Sequence, residues 1–100
     1  MYFITCFSEC KRDERGWLDM GANRVFGYYE DFETCEQALN ENWCDMFEYL
    51  YTYAVVEHIE PGIHSICKER WFFEWDNEKK GFFRIEEPKE FEGFINIALG

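Results

Sequence analysis

Only one stretch of this chain spaces its apolar residues as a helix does. It follows Asp31, a residue type suited to capping a helix N-terminus, and its apolar stripe consists of Phe32, Cys35, Ala38, Leu39 and Trp43. The opposite side carries Glu33, Glu36, Gln37, Asn40 and Glu41. This pattern predicts an amphipathic helix of about three turns. The segment 44–50 could extend the helix or form a separate short turn.

The other apolar stretches are short and rich in aromatic and β-branched residues, which is typical of strands. The predicted strands are residues 2–7, 24–30, 51–59, 69–76, 82–87 and 94–99. The polar stretch 8–23 is predicted to be a long loop with little structure of its own, and a second loop follows Pro61-Gly62. The order β-β-α-β-β-β-β predicts an α+β fold: one antiparallel sheet of about five to six strands with one amphipathic helix across one face. A length of 100 residues predicts a single domain, 1–100.

The fourth and fifth predicted strands read as a hairpin, because a short polar segment ending in Gly81 separates them. Glycine is expected there to supply a positive φ. A loop of about five residues would pair Trp75 with Phe83 and set Glu74 opposite Arg84 on the outer face.

Acidic residues are concentrated in the middle of the chain. The formal net charge is −11, and no lysine or arginine occurs from Val25 to Cys67, although nine carboxylates lie there. Such a charge disfavours nucleic acids and anionic membranes, because non-specific nucleic-acid binding depends on Lys and Arg. It favours basic partners, or it serves solubility alone.

The carboxylates along the predicted helix and the next few residues recur every three to four positions. A helix rises about 5–6 Å per turn, which is comparable to the separation of phosphates along one nucleic-acid strand. A row of this kind could imitate a phosphate backbone and form charge-assisted bonds with a partner's Arg and Lys side chains. The predicted partner-binding residues are Glu33, Glu36, Glu41, Asp45 and Glu48. The alternative is an ordinary solvated helix face.

No motif in the sequence specifies an enzyme, a metal site or a cofactor. His58, His64 and Cys67, with Glu57 beside them, match no strong zinc spacing, and the hydrolase, zincin, P-loop and dinucleotide signatures are absent. Base stacking on exposed aromatic residues would need a positive groove, whereas this chain is acidic. The stacking candidates were Tyr28, Tyr29, Trp71 and Trp75. We therefore predict a non-enzymatic protein with no metal and no cofactor.

The cysteines and the N-terminal residues bear on the compartment. There are five cysteines, an odd number, and the first residues have neither a basic region nor a long apolar run. We therefore expect reduced thiols and a cytoplasmic protein. No 18-residue apolar run indicates a membrane span.

Three pieces of sequence, YTYAVVEHIEPGIH, WFFEW and the EEP that precedes a last apolar stretch, resemble a group of small acidic bacterial proteins. These proteins are often encoded in phages and mobile elements and have no assigned activity. The resemblance covers about the last two thirds of the chain and transfers no catalytic residues. By analogy with small acidic phage inhibitors of nucleic-acid-binding defence enzymes, such as anti-CRISPR proteins, it implies a role in host interaction.

The sequence thus predicts a binding protein whose acidic face docks on a basic surface of a partner protein, as an inhibitor or a nucleic-acid mimic. The alternative is a small ligand-binding or housekeeping protein, dimeric, that uses an aromatic groove. A homodimer stays open under either hypothesis. The first predicts a convex acidic ridge, and the second predicts a concave aromatic pocket with acids scattered around the molecule.

Overall fold

The computed structural model describes residues 1–98 and confirms the α+β fold. The strands are β1 (Tyr2–Phe7), β2 (Lys11–Arg12), β3 (Leu18–Asp19), β4 (Asn23–Tyr29), β5 (Tyr53–Ile59), β6 (Cys67–Asp76) and β7 (Gly81–Ile85), and the helix is α1 (Phe32–Asn40). Five strands form one antiparallel sheet in the order β4-β1-β5-β6-β7. The strands β2 and β3 form a separate two-stranded sheet. Strands β4 and β7 are therefore the two edges of the main sheet.

Helix α1 begins where the sequence predicts. The backbone N–H of Thr34 donates a 2.7 Å hydrogen bond to the Asp31 carboxylate, which caps the helix and lowers the pKa of Asp31 below its usual value. The helix ends at Asn40, sooner than predicted, because Asn42 adopts the left-handed conformation with φ of 52°. Residues 41–50, named here the turn segment, continue as a short 3₁₀ turn and further turns, so Trp43 lies outside the helix.

One face of the main sheet is covered by α1, as expected. Buried Cys35, Ala38 and Leu39 of the helix pack against apolar side chains of the strands. Buried core residues on this helix-side face of the sheet include Ile4, Cys6, Val56, Phe73 and Phe82. The apolar stripe of α1 therefore faces the sheet, as a helical spacing of apolar residues predicts.

The opposite face of the sheet is covered by two segments, 8–23 and 88–98, that the sequence did not predict to lie there. Phe7, Val55 and Phe72 are buried there beneath Phe91, with Leu18 of β3 packed against them. The prediction that 8–23 is a long loop with little structure of its own is wrong, because the short strands β2 and β3 form a hairpin within it. The Asp13 carboxylate stabilises its turn by accepting hydrogen bonds from the backbone N–H groups of Arg15 and Trp17.

The predicted last strand is also wrong over residues 94–98, and residue 99 lies outside the described residues. Residues 88–98, named here the 88–98 segment, cross the sheet without joining it and are held by side chains of the sheet. Arg70, with a side chain only 12% exposed, donates to the backbone carbonyls of Phe91 and Phe94 and to the Glu87 carboxylate.

The β6–β7 hairpin forms, but its register differs by one residue from the predicted one. Trp75 lies opposite Phe82 rather than Phe83, and Arg84 lies opposite Phe73 rather than Glu74. A shift of one residue moves every side chain of a strand to the other face. Arg84 is therefore on the helix side of the sheet and not on the outer face.

The reason for the different register is the role of Gly81. The positive φ of the turn belongs to Lys80, at 59°, while Gly81 is the first residue of β7. A Cβ on Gly81 would lie 1.9 Å from the backbone oxygen of Asn40. Glycine is needed here because the C-terminal end of α1 passes directly over the strand.

Candidate protein-binding surface

The five predicted partner-binding carboxylates lie near one another along the chain but not on one helix. Glu33 and Glu36 are on α1, and Glu41 is its C-terminal cap residue. Asp45 and Glu48 are in the turn segment, each with φ of 52°. The row with helical spacing therefore ends at Glu41, so that the last two carboxylates do not continue it.

Two arginines from distant parts of the sequence reach this row of carboxylates. Arg84 Nε lies 3.2 Å from Glu36 Oε2, and an Arg24 terminal nitrogen lies 3.8 Å from Glu48 Oε2. Arg84 also lies over the ring of Phe32, at 5.1 Å from its centroid. The stretch from Val25 to Cys67 contains no lysine or arginine. The fold nevertheless brings two arginines from outside it close to its carboxylates.

The other carboxylates are placed differently. Glu41 accepts hydrogen bonds from the indole Nε1 of Trp43 at 2.9 Å and from Gln37 Nε2 at 3.0 Å, which lower the pKa of its carboxyl group. Asp45 accepts a hydrogen bond from the Asn42 amide at 3.1 Å. Both residues are exposed, and neither has an ion pair within the described residues.

An apolar cleft of about 210 Å³ opens beside these carboxylates, between β4, α1 and the turn segment. Its lining includes Gly27, Tyr29, Ala38, Trp43, Cys44 and Met46. The rings of Tyr29 and Trp43 meet edge to face, with centroids 6.2 Å apart. Two of the lining residues are small: Gly27 of β4 and Ala38 of α1. A Cβ added to Gly27 would have no atom within 4 Å.

Four exposed carboxylate residues lie within two positions of cleft-lining residues in the sequence, and we name them the acidic rim: Glu30, Asp31, Glu41 and Asp45. Glu30 and Asp31 follow Tyr29 at the end of β4, and Asp45 stands between the cleft residues Cys44 and Met46. Glu41 is hydrogen-bonded to the cleft residue Trp43. Glu41 and Asp45 were predicted from the sequence, but the cleft was not, because its signals are only a glycine inside a strand and an alanine in the apolar stripe.

The volume of the cleft restricts what it can accept. Pockets for drug-sized ligands and cofactors measure about 300–1,000 Å³, whereas a cavity of about 150 Å³ suffices for benzene. At about 210 Å³ the cleft suits one large side chain. A wider depression of about 480 Å³ is lined by Cys67, Arg70 and Glu87, among others, but its arginine is already committed to the 88–98 segment.

The buried carboxylate of Glu57 has a structural role. Glu57 lies on β5 and is 0% exposed. Its two oxygens accept hydrogen bonds from the backbone N–H groups of Ile97 and Ala98, at 2.8 and 2.7 Å. These bonds attach the 88–98 segment to the sheet and satisfy a buried charge. Local sequence patterns do not predict this contact, because it joins residues about 40 positions apart.

The histidines and Cys67 do not form a reactive pair in the described part of the chain. The His58 ring stacks on Tyr2 with centroids 4.4 Å apart, and His64 is exposed in a turn. Burial foremost, and then Glu57, raises the pKa of Cys67 to about 11, which disfavours the nucleophilic thiolate. Residues 1–98 contain no group of three or more potential ligands placed to hold a metal ion.

The aromatic residues considered for stacking separate into two environments. Tyr28 and Tyr29 are exposed and line the cleft, while Trp71 and Trp75 are half-buried against the helix-side core. Trp75 stacks on Phe47 with centroids 3.8 Å apart. Of these four residues, the two tyrosines of β4 are the exposed ones.

Among residues 1–98, none of the helices has the length and apolarity that crossing a membrane requires. Comparisons of the chain with protein-family models, with curated proteins and with solved structures found no match.

Proposed function

We propose that the protein is a non-enzymatic binding module that docks on a basic surface of a partner protein through the side of the molecule that carries the acidic rim. The observation that supports this most is the joint placement of exposed carboxylates and exposed aromatic residues around one apolar cleft. Protein interfaces have aromatic, water-excluding centres and polar rims. The net charge of −11 selects a basic partner and speeds the encounter with it.

A general protein-docking role fits the geometry better than imitation of a nucleic-acid strand. Imitation needs several exposed carboxylates at regular spacing, but Glu36 and Glu48 already have arginine partners. Inhibition of a nucleic-acid-binding enzyme, as in anti-CRISPR proteins, is one form that docking on a basic surface can take.

Of the five predicted carboxylates, three form no ion pair within residues 1–98 and are the simplest contact residues: Glu33, Glu41 and Asp45. Glu36 and Glu48 would have to exchange an arginine of their own chain for one of the partner, so their net contribution is smaller. The alternative hypothesis is a dimeric protein that binds a small ligand in an aromatic groove. An aromatic cleft is present, but its volume is below the usual range for such ligands.

The test is charge reversal at the contact carboxylates. The variant Glu33→Lys, Glu41→Lys, Asp45→Lys is compared with Glu14→Lys, Glu86→Lys, Glu92→Lys, which alters the total charge equally at exposed positions elsewhere. Proteins captured from a bacterial lysate by the wild type and the control variant, but not by the first variant, are identified and purified.

Direct binding of a captured protein is then measured by titration calorimetry at low and high NaCl concentration. We expect the reversal at the contact carboxylates to weaken binding at least about tenfold, and added salt to weaken the wild-type complex. Equal binding by both variants, or binding that salt does not affect, would contradict the proposal.

A further inference from the structure

We propose that the cleft between β4, α1 and the turn segment receives one large apolar side chain, of leucine or phenylalanine size, from a basic segment of the partner. The inference rests on the proposed function and adds the chemistry of the contact. It commits to a protein segment in which lysine or arginine residues flank a single apolar anchor.

The first argument is the shape of the cleft. Gly27 lies opposite buried Ile4 in the β1–β4 ladder, on the helix side of the sheet. A side chain at position 27 would point into empty space, and Ala38 contributes one carbon from the helix. The cleft lined by these two small residues measures about 210 Å³, and a partner's side chain would pack within it.

The second argument is the chemistry of the cleft walls. Tyr29 and Trp43 present ring edges and faces, and Met46 adds an adaptable apolar surface below them. The indole N–H of Trp43 already donates a hydrogen bond to Glu41. The cleft walls therefore favour an apolar group over a polar one. Burial of one such side chain of the partner corresponds to at least about tenfold in affinity.

The third argument is charge complementarity at the mouth of the cleft. The four exposed carboxylates of the acidic rim lie within two positions of the cleft lining in the sequence: two follow β4, one caps the C-terminus of α1 and one is in the turn segment. Lysine or arginine residues on both sides of the inserted anchor would meet these carboxylates. A second copy of the chain is disfavoured as the occupant, because two acidic rims would face each other.

The experiment uses three blocked seven-residue peptides. One has a central phenylalanine flanked by lysines and arginines, one has a central alanine in the same basic frame, and one has the central phenylalanine between glutamates. Binding is measured by fluorescence anisotropy against the wild type, Gly27→Leu, which fills the cleft, and Ala22→Leu, which adds the same bulk at an exposed position. We expect the basic phenylalanine peptide to bind the wild type and Ala22→Leu at least about tenfold more tightly than the basic alanine peptide. This difference should disappear in Gly27→Leu.

Cys44 supplies a second measurement that needs no variant in the cleft. Its side chain is exposed and lines the cleft, so an anchor bound there should slow alkylation of Cys44 by iodoacetamide. We expect the basic phenylalanine peptide at saturation to slow it at least about fivefold, and the basic alanine peptide to have little effect. Equal labelling rates with both bound peptides would overturn the inference even if Gly27→Leu failed to fold.

The outcomes separate the inference from the proposed function. One outcome is that both basic peptides bind equally well, bind more weakly in salt and bind Gly27→Leu as they bind the wild type. In that case the proposed docking on a basic surface is supported and the cleft inference is wrong. If neither basic peptide binds better than the acidic one, the proposed function itself fails. Gly27-dependent binding of the acidic peptide would overturn the requirement for a basic segment. A wild-type dimer that Gly27→Leu converts to monomer in sedimentation would identify a second copy as the occupant and overturn the inference.

Discussion

At the scale of single residues, the five cysteines show how far burial separates chemically identical groups. All are free thiols, and burial is the largest cause of each resolved pKa change. It raises the pKa of Cys6 to about 12 and the pKa values of Cys10, Cys35 and Cys67 to about 11. Nearby carboxylates also raise all four. Cys44 differs from them in being exposed, on the wall of the cleft.

We expect iodoacetamide at pH 8 to label Cys44 well before the other four cysteines. A thiol with a pKa of about 11 is ionised to about one part in a thousand at that pH, and its reaction should accelerate as the pH rises toward 11. Peptide mapping by mass spectrometry after timed quenching gives the rate at each site. Cys44→Ser should remove the fast phase and leave the slow ones. Similar rates at Cys44 and Cys6 in the native protein would show that this assignment of environments is wrong.

At the scale of elements, the sequence predicted what depends on local spacing and missed what depends on long-range contacts. The Asp31 cap, the apolar stripe of α1 and the positions of β1, β4, β5, β6 and β7 follow from periodicity and capping, which act over a few residues. The covering of the sheet face opposite α1 does not follow from such short-range patterns. It depends on Arg70 and Glu57 of the sheet holding the 88–98 segment.

The candidate site divides in the same way. Glu41 and Asp45 could be singled out from acidic spacing. The pairing of Glu36 with Arg84 could not, because the partners are 48 positions apart in sequence and Arg84 reaches the helix side only through the register of β7. The cleft could not be predicted for a related reason: its lining residues belong to separate elements.

Two glycines of the main sheet are expected to respond oppositely to alanine. Gly81→Ala would place a Cβ 1.9 Å from the Asn40 carbonyl oxygen, and since that atom is backbone, α1 or β7 must shift. We expect a loss of about 1–3 kcal/mol in the free energy of unfolding. Gly27→Ala meets no atom within 4 Å, so it should be neutral or stabilise by up to about 1 kcal/mol by restricting the unfolded chain.

Urea denaturation followed by tryptophan fluorescence compares the two glycine variants with the wild type. The contrast between them is the informative quantity, because both substitutions add the same methyl group to a strand residue. If Gly81→Ala unfolded within about 0.5 kcal/mol of Gly27→Ala, the close approach of α1 to β7 would not be the reason for the glycine.

At the scale of the whole molecule, the acidic charge is distributed more evenly than the linear sequence suggests. The fold brings Arg24 and Arg84 to carboxylates that follow β4 in the sequence. The surface around these carboxylates is therefore less negative than the sequence of this stretch suggests. The carboxylates of the acidic rim form no ion pair within residues 1–98. The apolar cleft and the rim, rather than a continuous ridge, are therefore where this surface differs from an ordinary acidic one.

The same charge balance makes the stability of the molecule depend on salt in a definite direction. The radius of gyration is 13.0 Å, and the Debye length is about 10 Å at 0.1 M ionic strength and about 3 Å at 1 M. Charges across the molecule therefore repel one another at low salt and are screened at high salt. The ion pairs that screening would also weaken are mostly exposed, and such pairs contribute about 0–1 kcal/mol each at most.

With 21 acidic and 10 basic residues, repulsion should outweigh the lost attraction. We expect NaCl raised from about 0.05 to 0.5 M to increase the free energy of unfolding by on the order of 1 kcal/mol, read from urea midpoints. The variant Glu14→Lys, Glu86→Lys, Glu92→Lys has less net negative charge and should gain less from the same salt. If salt lowered the wild-type midpoint, pairs such as Arg70–Glu87, whose arginine side chain is only 12% exposed, would be the dominant electrostatic contribution, and net repulsion would not limit the stability of this fold.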